Sequence, residues 1–234
     1  MITLFSFGAR FGVQDLSPYV LKVDAYMRMA GVSFQVKSGF RNLKTAPKGK
    51  LPYIQDGEQL VADSTLIIQH LKQQHNADLD ANLSEAEQAT ANLIIRALDD
   101  SFYWSLVYAR WLREDSWQIV KPAFFKKMPF PLRYIAPYVA RKRIRQACHS
   151  QGISRHSDAE ILAMSRQVLQ DLSVLLGDKD YFFGDKPSTL DATVFGFLAQ
   201  IIISELKTAV TPIAQEFPNL VSFCQRIQEQ YYSE

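Results

Sequence analysis

A serine followed by a proline, Ser17 and Pro18, stands at the start of the first apolar stretch with helical spacing. Proline is favoured in the first turn of a helix, so Ser17 is predicted to cap the amino terminus of that helix. The same position suits a chemical role. A free thiol has a pKa of about 8.5, and a helix amino terminus with nearby donors lowers it. Ser17 is therefore a candidate to hold a thiolate that belongs to a bound ligand, and the ligand supplies the nucleophile.

A second proline, Pro52, interrupts the apolar run LPYIQ at its second position. Proline has no backbone N–H, so within a sheet it belongs on an edge or in a special turn. An ordinary edge proline is one interpretation. The other is a cis Leu51–Pro52 bond, with the N–H and C=O of Leu51 free to pair with an extended ligand. Position alone does not separate the two.

An acid and a hydroxyl, Asp63 and Ser64, precede the apolar helical run TLIIQHL. Either residue is a natural helix N-cap. Free N–H groups at a helix start attract a carboxylate, the Ser64 hydroxyl adds a donor, and Asp63 can pair with an ammonium. The pair thus matches an amino-acid head group, although capping explains both residues equally well.

The hydrophobic patterns of strands and of helices indicate which elements hold these residues. The first 75 residues read as strand, helix, strand and loop, followed by a hairpin with Asp56-Gly57 at its turn and a second helix. After residue 76 the strand signals stop, and helical patterns cover 84–113, 160–176, 188–204 and 218–231. The 188–204 pattern is apolar on all sides, which predicts a buried central helix. The sequence therefore predicts an α/β domain at 1–76 and an all-helical domain at 84–234.

Bulk composition excludes several classes of protein. The chain has 234 residues, 47% of them hydrophobic, which is enough for a substantial core. A net charge of +2 gives no global field for nucleic acid. Cys148 and Cys224 lie far apart in no metal-type spacing, so neither a metal site nor a disulfide scaffold is predicted. The amino terminus reads as a strand rather than a signal peptide, and no apolar run reaches the roughly 20 residues of a membrane span. We expect a cytoplasmic protein.

The order of these motifs resembles the glutathione S-transferase superfamily. The segments ITLFSF, SPYVLKVDAYMRMAGVSF, KGKLPYI and ADSTLIIQHL are similar to its thioredoxin-like N-terminal domain. The segment FFGDKPSTLDATVFGFLAQ is similar to the core of its helical C-terminal domain, where Ser188 and Asp191 form a capping box. The motifs LSP, MAG, KGKLPYI, ADS and FGDKPSTLDATVFG are most similar to the metaxin and failed-axon-connections branch. The resemblance implies an α/β domain of thioredoxin type followed by an all-α domain.

This resemblance also implies a function, with glutathione as co-substrate. It places the thiol-activating hydroxyl at Ser17, the cysteinyl backbone contact at Leu51 with a cis Pro52, and the γ-glutamyl contacts at Asp63 and Ser64. The expected reaction conjugates the glutathione thiolate to an apolar electrophile, in a homodimer. The alternative, suggested by the metaxin branch, is a non-catalytic module that binds a protein or an anionic membrane.

The electrophile is expected against the long helix predicted at 84–113. That helix carries aromatic side chains that can line a cleft, namely Tyr103, Trp104, Tyr108 and Trp111. Core packing is the competing role for aromatics at such spacing.

The segment 116–157 contains no Asp or Glu, and its nine Lys and Arg residues alternate with aromatic and aliphatic ones. Such a pattern can serve an anionic membrane, a nucleic acid or an acidic substrate. We favour the simpler interpretation, a solvated insertion that covers the cleft. We expect no nucleic-acid partner. Four prolines, Pro122, Pro129, Pro131 and Pro137, predict that no long helix forms in this segment.

Overall fold

The computed structural model describes residues 1–233 and begins with a four-stranded sheet. Its strands are β1 (Ile2–Ser6), β2 (Phe34–Ser38), β3 (Tyr53–Asp56) and β4 (Gln59–Ala62), in the order β2–β1–β3–β4. Strands β1 and β2 are parallel, whereas the other two pairs are antiparallel. Helix α1 (Pro18–Met29) joins the parallel strands, α2 (Asn42–Thr45) precedes β3, and α3 (Ser64–His75) follows β4. This is the predicted thioredoxin-like arrangement.

Strand β3 begins one residue after Pro52. A proline cannot donate to the ladder, so the strand starts where N–H groups become available. Tyr53 then pairs with Ala62, and Asp56 pairs with Gln59 across the predicted hairpin turn.

Helices make up the rest of the chain. They are α4 (Glu85–Ala97), α5 (Tyr103–Trp111), α6 (Glu114–Phe125), α7 (Leu132–Gln151), α8 (Asp158–Leu176), α9 (Thr189–Leu198), α10 (Thr211–Ala214) and α11 (Pro218–Tyr232), with a 3-10 turn at Ile153–Arg155. Every residue of α9 is buried, as predicted, although the helix ends at Leu198 rather than at residue 204. Within residues 1–233, no helix combines the length and apolarity needed to cross a membrane.

Helices α1 and α9 form the most extensive contact between the two parts of the molecule. Gly196 permits it, because a Cβ added there would lie 2.7 Å from the Pro18 carbonyl oxygen and 2.8 Å from the Lys22 backbone nitrogen. Real Cβ atoms do not approach backbone atoms so closely. The absence of a side chain at Gly196 therefore sets the distance between the start of α1 and the helical part.

The helix predicted over 84–113 is present as a continuous helical run from Glu85 to Trp111, but it is not regular throughout. A π-helical segment, Leu98–Phe102, separates α4 from α5. Asp99 in this segment accepts a hydrogen bond from the Lys22 ammonium of α1 at 2.9 Å, and both side chains are buried. Single π turns often occur at functional sites, and this one places Asp99 and Asp100 beside the cavity described below.

The expectation that prolines would prevent a long helix in 116–157 is wrong. Helix α6 contains Pro122, and the 20-residue helix α7 contains Pro137 at its sixth position. A proline inside a helix leaves the carbonyl four residues earlier without its N–H partner. For Pro137 that carbonyl belongs to Arg133, which is exposed, so water can satisfy it.

Candidate active site

A cavity of about 760 Å³ lies between the sheet-containing part and the helices. All five binding residues expected from the sequence are in its wall: Ser17, Leu51, Pro52, Asp63 and Ser64. They come from the start of α1, the segment before β3 and the start of α3. The topology thus collects residues up to 47 positions apart on one side of one cavity.

Ser17 is the N-cap of α1, as predicted. Its Oγ accepts a hydrogen bond from the Val20 N–H at 3.4 Å, which uses a lone pair and leaves the hydroxyl proton available. Its own N–H donates to Asp15 Oδ1 at 2.7 Å. The residue is therefore held by its backbone while its O–H can still donate to a ligand in the cavity.

Asp15, which sequence reasoning missed, fixes the loop that carries Ser17. Its Oδ2 accepts hydrogen bonds from the N–H groups of Phe7 and Gly8, at 2.7 and 3.0 Å. One carboxylate thereby ties the end of β1 to the start of α1. Burial raises the pKa of Asp15 to about 6, against the opposing effect of the backbone hydrogen bonds. The signal available in the sequence was an acid two residues before a helix N-cap.

The Leu51–Pro52 peptide bond is cis, as expected. Both residues are buried from bulk solvent, with Leu51 7% exposed. Among residues 1–233, neither the N–H nor the C=O of Leu51 has a hydrogen-bond partner. Leu51 therefore offers one unused backbone donor and one acceptor at the cavity wall.

Asp63, rather than Ser64, is the N-cap of α3. Its Oδ1 accepts from the N–H groups of Thr65 and Leu66 at 3.0 and 3.3 Å. The backbone of Asp63 has φ +95°, a region that residues with a side chain rarely adopt, and such strain is concentrated at functional sites. The Ser64 hydroxyl lies in the cavity wall and has no hydrogen-bond partner among residues 1–233. Oδ2 of Asp63 and the Ser64 hydroxyl are thus available for a ligand.

Arg110 brings a positive charge to the Ser17 end of the cavity. Its guanidinium donates to the Leu16 carbonyl at 2.6 Å and to Gln200 Oε1 at 2.9 Å. Burial lowers the pKa of Arg110 to about 10, so the side chain remains a cation at neutral pH. Sequence analysis missed it because the contact joins residues 94 positions apart. Lys48, Lys50, Arg10 and Arg96 also reach the cavity wall.

The opposite side of the cavity is aromatic. Of the four aromatic residues proposed for the pocket, Tyr103, Trp104 and Trp111 lie in the wall. Trp111 packs on Phe124 of α6, with ring centroids 5.3 Å apart, and Phe124 contacts Phe40 from the sheet-containing part. These rings form an apolar surface facing the polar one.

Tyr108, the fourth proposed pocket residue, is not in the cavity wall. It packs against the cluster of Cys148, Ile153 and Ile161, and its hydroxyl donates to Asp158 at the start of α8. The side chain therefore points toward α7 and α8, and the prediction that Tyr108 lines the pocket is wrong.

Comparisons with known proteins match both the N-terminal and the C-terminal parts of the chain to one family. The family model of the glutathione S-transferase N-terminal domain matches residues 18–116. The family model of the glutathione S-transferase C-terminal domain matches residues 165–227. The isoprene-epoxide–glutathione S-transferase of Rhodococcus sp. (strain AD45) is 33% identical over 238 residues, covering 99% of each chain. Metaxin-2 of Homo sapiens is 26% identical and covers 92% of this chain and 82% of its own.

Among solved structures, a glutathione S-transferase from Rhodospirillum rubrum F11 matches with a TM-score of 0.63 and 15% identity, covering 98% of this chain and 89% of its own. That likeness concerns the fold alone. The full-length relatives include both an enzyme and metaxins, as the motifs predicted. The chain belongs to the glutathione S-transferase superfamily.

Proposed function

We propose that this protein binds glutathione and transfers its thiolate to a small apolar electrophile. One observation carries the proposal: a single cavity presents peptide-binding groups on one side and aromatic rings on the other. A pocket of this kind suits a charged co-substrate beside an apolar one.

Glutathione fits the polar side in an extended pose. Its γ-glutamyl carboxylate would accept from the hydroxyl and the free backbone N–H of Ser64 at the start of α3, while Asp63 pairs with the ammonium. The unused N–H and C=O of Leu51 would pair with the cysteinyl backbone, as in strand addition. Lys48 and Lys50, both exposed at the rim, supply positive charge for the glycyl carboxylate.

The sulfur would lie at the start of α1. The Ser17 hydroxyl donates to it, and the helix amino terminus and Arg110 add positive potential, so all three favour the thiolate over the thiol. The thiol proton leaves to solvent. The sulfur then forms a bond to an electrophilic carbon, and the bond from that carbon to its leaving atom breaks. For an epoxide, the ring oxygen leaves as an alkoxide and takes a proton from water.

An epoxide is the electrophile to test first. The relative with 33% identity is described as acting on isoprene epoxide, and it matches this chain along its whole length. A small unsaturated epoxide is apolar enough to pack on the rings of Trp111 and Phe124, and the reaction needs no metal or redox cofactor.

The test combines calorimetry with glutathione and a conjugation assay with a small alkenyl epoxide. We expect one glutathione per chain and epoxide turnover. Ser17→Ala should keep glutathione bound but lower kcat about tenfold or more at neutral pH, because each unit by which the thiol pKa rises reduces the thiolate fraction up to tenfold. Ser17→Thr, which keeps a hydroxyl and an N-cap, should retain most of the rate. No glutathione binding to the wild-type chain would overturn the proposal.

A second candidate function rests on an exposed surface at residues 126–145, here called the basic–apolar surface. Seven large hydrophobic side chains are exposed within positions 128–139, namely Met128, Phe130, Leu132, Tyr134, Ile135, Tyr138 and Val139. Six basic residues of the surface form no ion pair within residues 1–233: Lys126, Lys127, Arg133, Lys142, Arg143 and Arg145. Such a surface is matched to an anionic bilayer, because it offers both apolar insertion and positive charge. It supports the non-catalytic alternative.

Vesicle sedimentation separates this role from catalysis. Wild-type protein should sediment with vesicles of phosphatidylcholine and phosphatidylserine and much less with phosphatidylcholine alone. A Phe130→Ser, Tyr134→Ser, Tyr138→Ser variant should lose the interaction. A matched control, Leu93→Ser with Val174→Ser, changes side chains that are 73% and 74% exposed elsewhere and should retain it. Equal binding by both variants would exclude this surface.

A further inference from the structure

Two histidines and an aspartate meet outside the cavity. Asp56 ends β3, and His70 and His75 lie on α3. Oδ2 of Asp56 is 2.9 Å from His70 Nε2 and 2.6 Å from His75 Nε2. One ligand atom from each residue lies within 4.8 Å of the other two. None of the three residues is in the wall of the cavity.

The cluster is enclosed on one side and open on the other. The side chain of His70 is 10% exposed, that of Asp56 21% and that of His75 32%. A ligand can thus enter past His75 while His70 keeps its orientation. Hydrogen bonds from His75 and His70 lower the pKa of Asp56, so the acid is a carboxylate at neutral pH.

We propose that Asp56, His70 and His75 bind a divalent transition-metal ion, with zinc as the best match. Two imidazole nitrogens and one carboxylate oxygen are the donor set that zinc prefers, whereas magnesium and calcium take oxygen ligands. Three protein ligands leave the fourth tetrahedral position for water.

The geometry requires a small adjustment. Bonds of about 2.0–2.1 Å to a tetrahedral zinc ion place ligand atoms about 3.3 Å apart. The two Nε2 atoms must therefore retreat from Asp56 Oδ2 by about half an ångström, which rotation of the partly exposed His75 and Asp56 side chains provides. Each imidazole binds through an unprotonated Nε2, so its proton moves to Nδ1 or to solvent.

An ion at this position would join the end of β3 to the C-terminal half of α3. The amino terminus of the same helix carries Asp63 and Ser64, but the cluster lies outside the cavity. Binding should therefore stabilise the sheet-containing part without changing the affinity for glutathione. The inference does not depend on the proposed conjugation reaction.

The sequence offers no familiar motif for this cluster. The two histidines are five residues apart on one helix, and Asp56 comes from the preceding hairpin. Only the return of α3 across the end of β3 brings them together.

The test is calorimetric titration of zinc chloride into the full, untagged chain after treatment with a chelator. We expect one zinc ion per chain and a rise in the melting temperature in the presence of zinc, since a ligand that binds only the folded state stabilises it. Asp56→Ala and His75→Ala should each weaken zinc binding at least tenfold and abolish the shift. His75 is partly exposed, so its variant should fold normally.

The other two histidines provide a matched control. His149 and His156 are exposed and lie outside the cluster, so a His149→Ala, His156→Ala variant should bind zinc like the wild type. Loss of binding in this control, unchanged affinity in His75→Ala, or no binding to the wild-type chain would each overturn the proposal. Glutathione affinity, measured alongside, should be the same in all variants.

Discussion

The two sides of the cavity offer a ligand different chemical groups. The side built from the sheet-containing part offers fixed hydrogen-bonding groups: the Ser17 hydroxyl, the backbone of Leu51, and Asp63 with Ser64. The helical side offers rings, chiefly Tyr103, Trp104 and Trp111. The first side suits charged and backbone groups of a ligand, whereas the second suits apolar ones.

This difference predicts which variant affects which substrate. Groups on the polar side are anchored by helix starts and by the Asp15 carboxylate, so under the proposed function they would hold one co-substrate in one pose. The aromatic side has few polar groups, so the positions of its rings would set which electrophile it accepts. Variants on the polar side should therefore change glutathione affinity and thiol pKa, and variants on the aromatic side the KM for the electrophile.

The largest expected effect is a loss of stability in a variant that forces α1 and α9 apart. Gly196→Ala places a Cβ within 2.8 Å of backbone atoms of Pro18 and Lys22, which no rotamer change relieves. We expect the free energy of unfolding to fall by about 3 kcal/mol or more, measured by denaturant titration. Gly49→Ala is the control, since nothing lies within 4 Å of its added Cβ, and it should cost only about 1 kcal/mol of left-handed strain. Equal midpoints for the two variants would contradict the packing argument.

Next in size is a loss of glutathione affinity on the polar side. Asp63→Asn keeps a good N-cap but removes the charge that pairs with the γ-glutamyl ammonium. A hydrogen bond to a charged group is worth about 1.5–3 kcal/mol, so calorimetry should show the Kd rising about 10- to 100-fold with little change in melting temperature. Ser64→Ala should act in the same direction. A Kd within twofold of the wild type in both variants would place glutathione elsewhere.

The free energy of unfolding should depend on pH through Asp15, the carboxylate that anchors the polar side. The pKa of Asp15 is about 6 in the folded chain and about 3.9 when unfolded, so the folded state retains its proton to higher pH. The free energy of unfolding therefore falls as the pH rises from about 4 to 6, by about 2–3 kcal/mol from this group, and is level above that.

Asp15→Asn removes this titration. The difference in unfolding free energy, wild type minus variant, should decrease between about pH 4 and 6. Asp191, whose pKa is also raised to about 6 by burial, is present in both proteins and cancels. A pH-independent difference would show that Asp15 titrates normally.

The smallest effect is expected on the aromatic side. Trp111→Ala removes a ring that contacts Phe124 and should raise the KM for the epoxide about tenfold, equivalent to about 1.4 kcal/mol, with glutathione affinity unchanged. Tyr108→Phe is the matched control, because Tyr108 lies outside the cavity, and steady-state kinetics should show no change. The reverse pattern, with Tyr108→Phe the more damaging, would return Tyr108 to the site.

The polar side could be predicted from sequence because its determinants are local. A proline after a serine and an Asp-Ser pair before an apolar helix each specify a cap within a few residues, whereas position left Pro52 open and its cis bond was expected from the family resemblance. The same local signals predicted the order of the strands and the buried helix α9. They also indicated the family to which the chain belongs.

The aromatic side could not be predicted in the same way, because helix rotation decides it. The four aromatic residues proposed for the pocket lie together on the regular helix α5, so their spacing grouped them, whereas the packing of α7 and α8 against α5 directs Tyr108 away from the cavity. Arg110 and the Asp56 cluster also depend on tertiary contacts between distant residues. The two internal prolines of α6 and α7 were misread because water can replace the hydrogen bonds that they remove.

The central claim is that Ser17 holds glutathione as a thiolate, and the pKa of the bound thiol tests it most directly. Ultraviolet difference titration of the glutathione complex should give a pKa at least one unit below the roughly 8.5 of a free thiol, with Ser17→Ala restoring most of that shift. A bound thiol that titrates at the same pH in both proteins would contradict the claim.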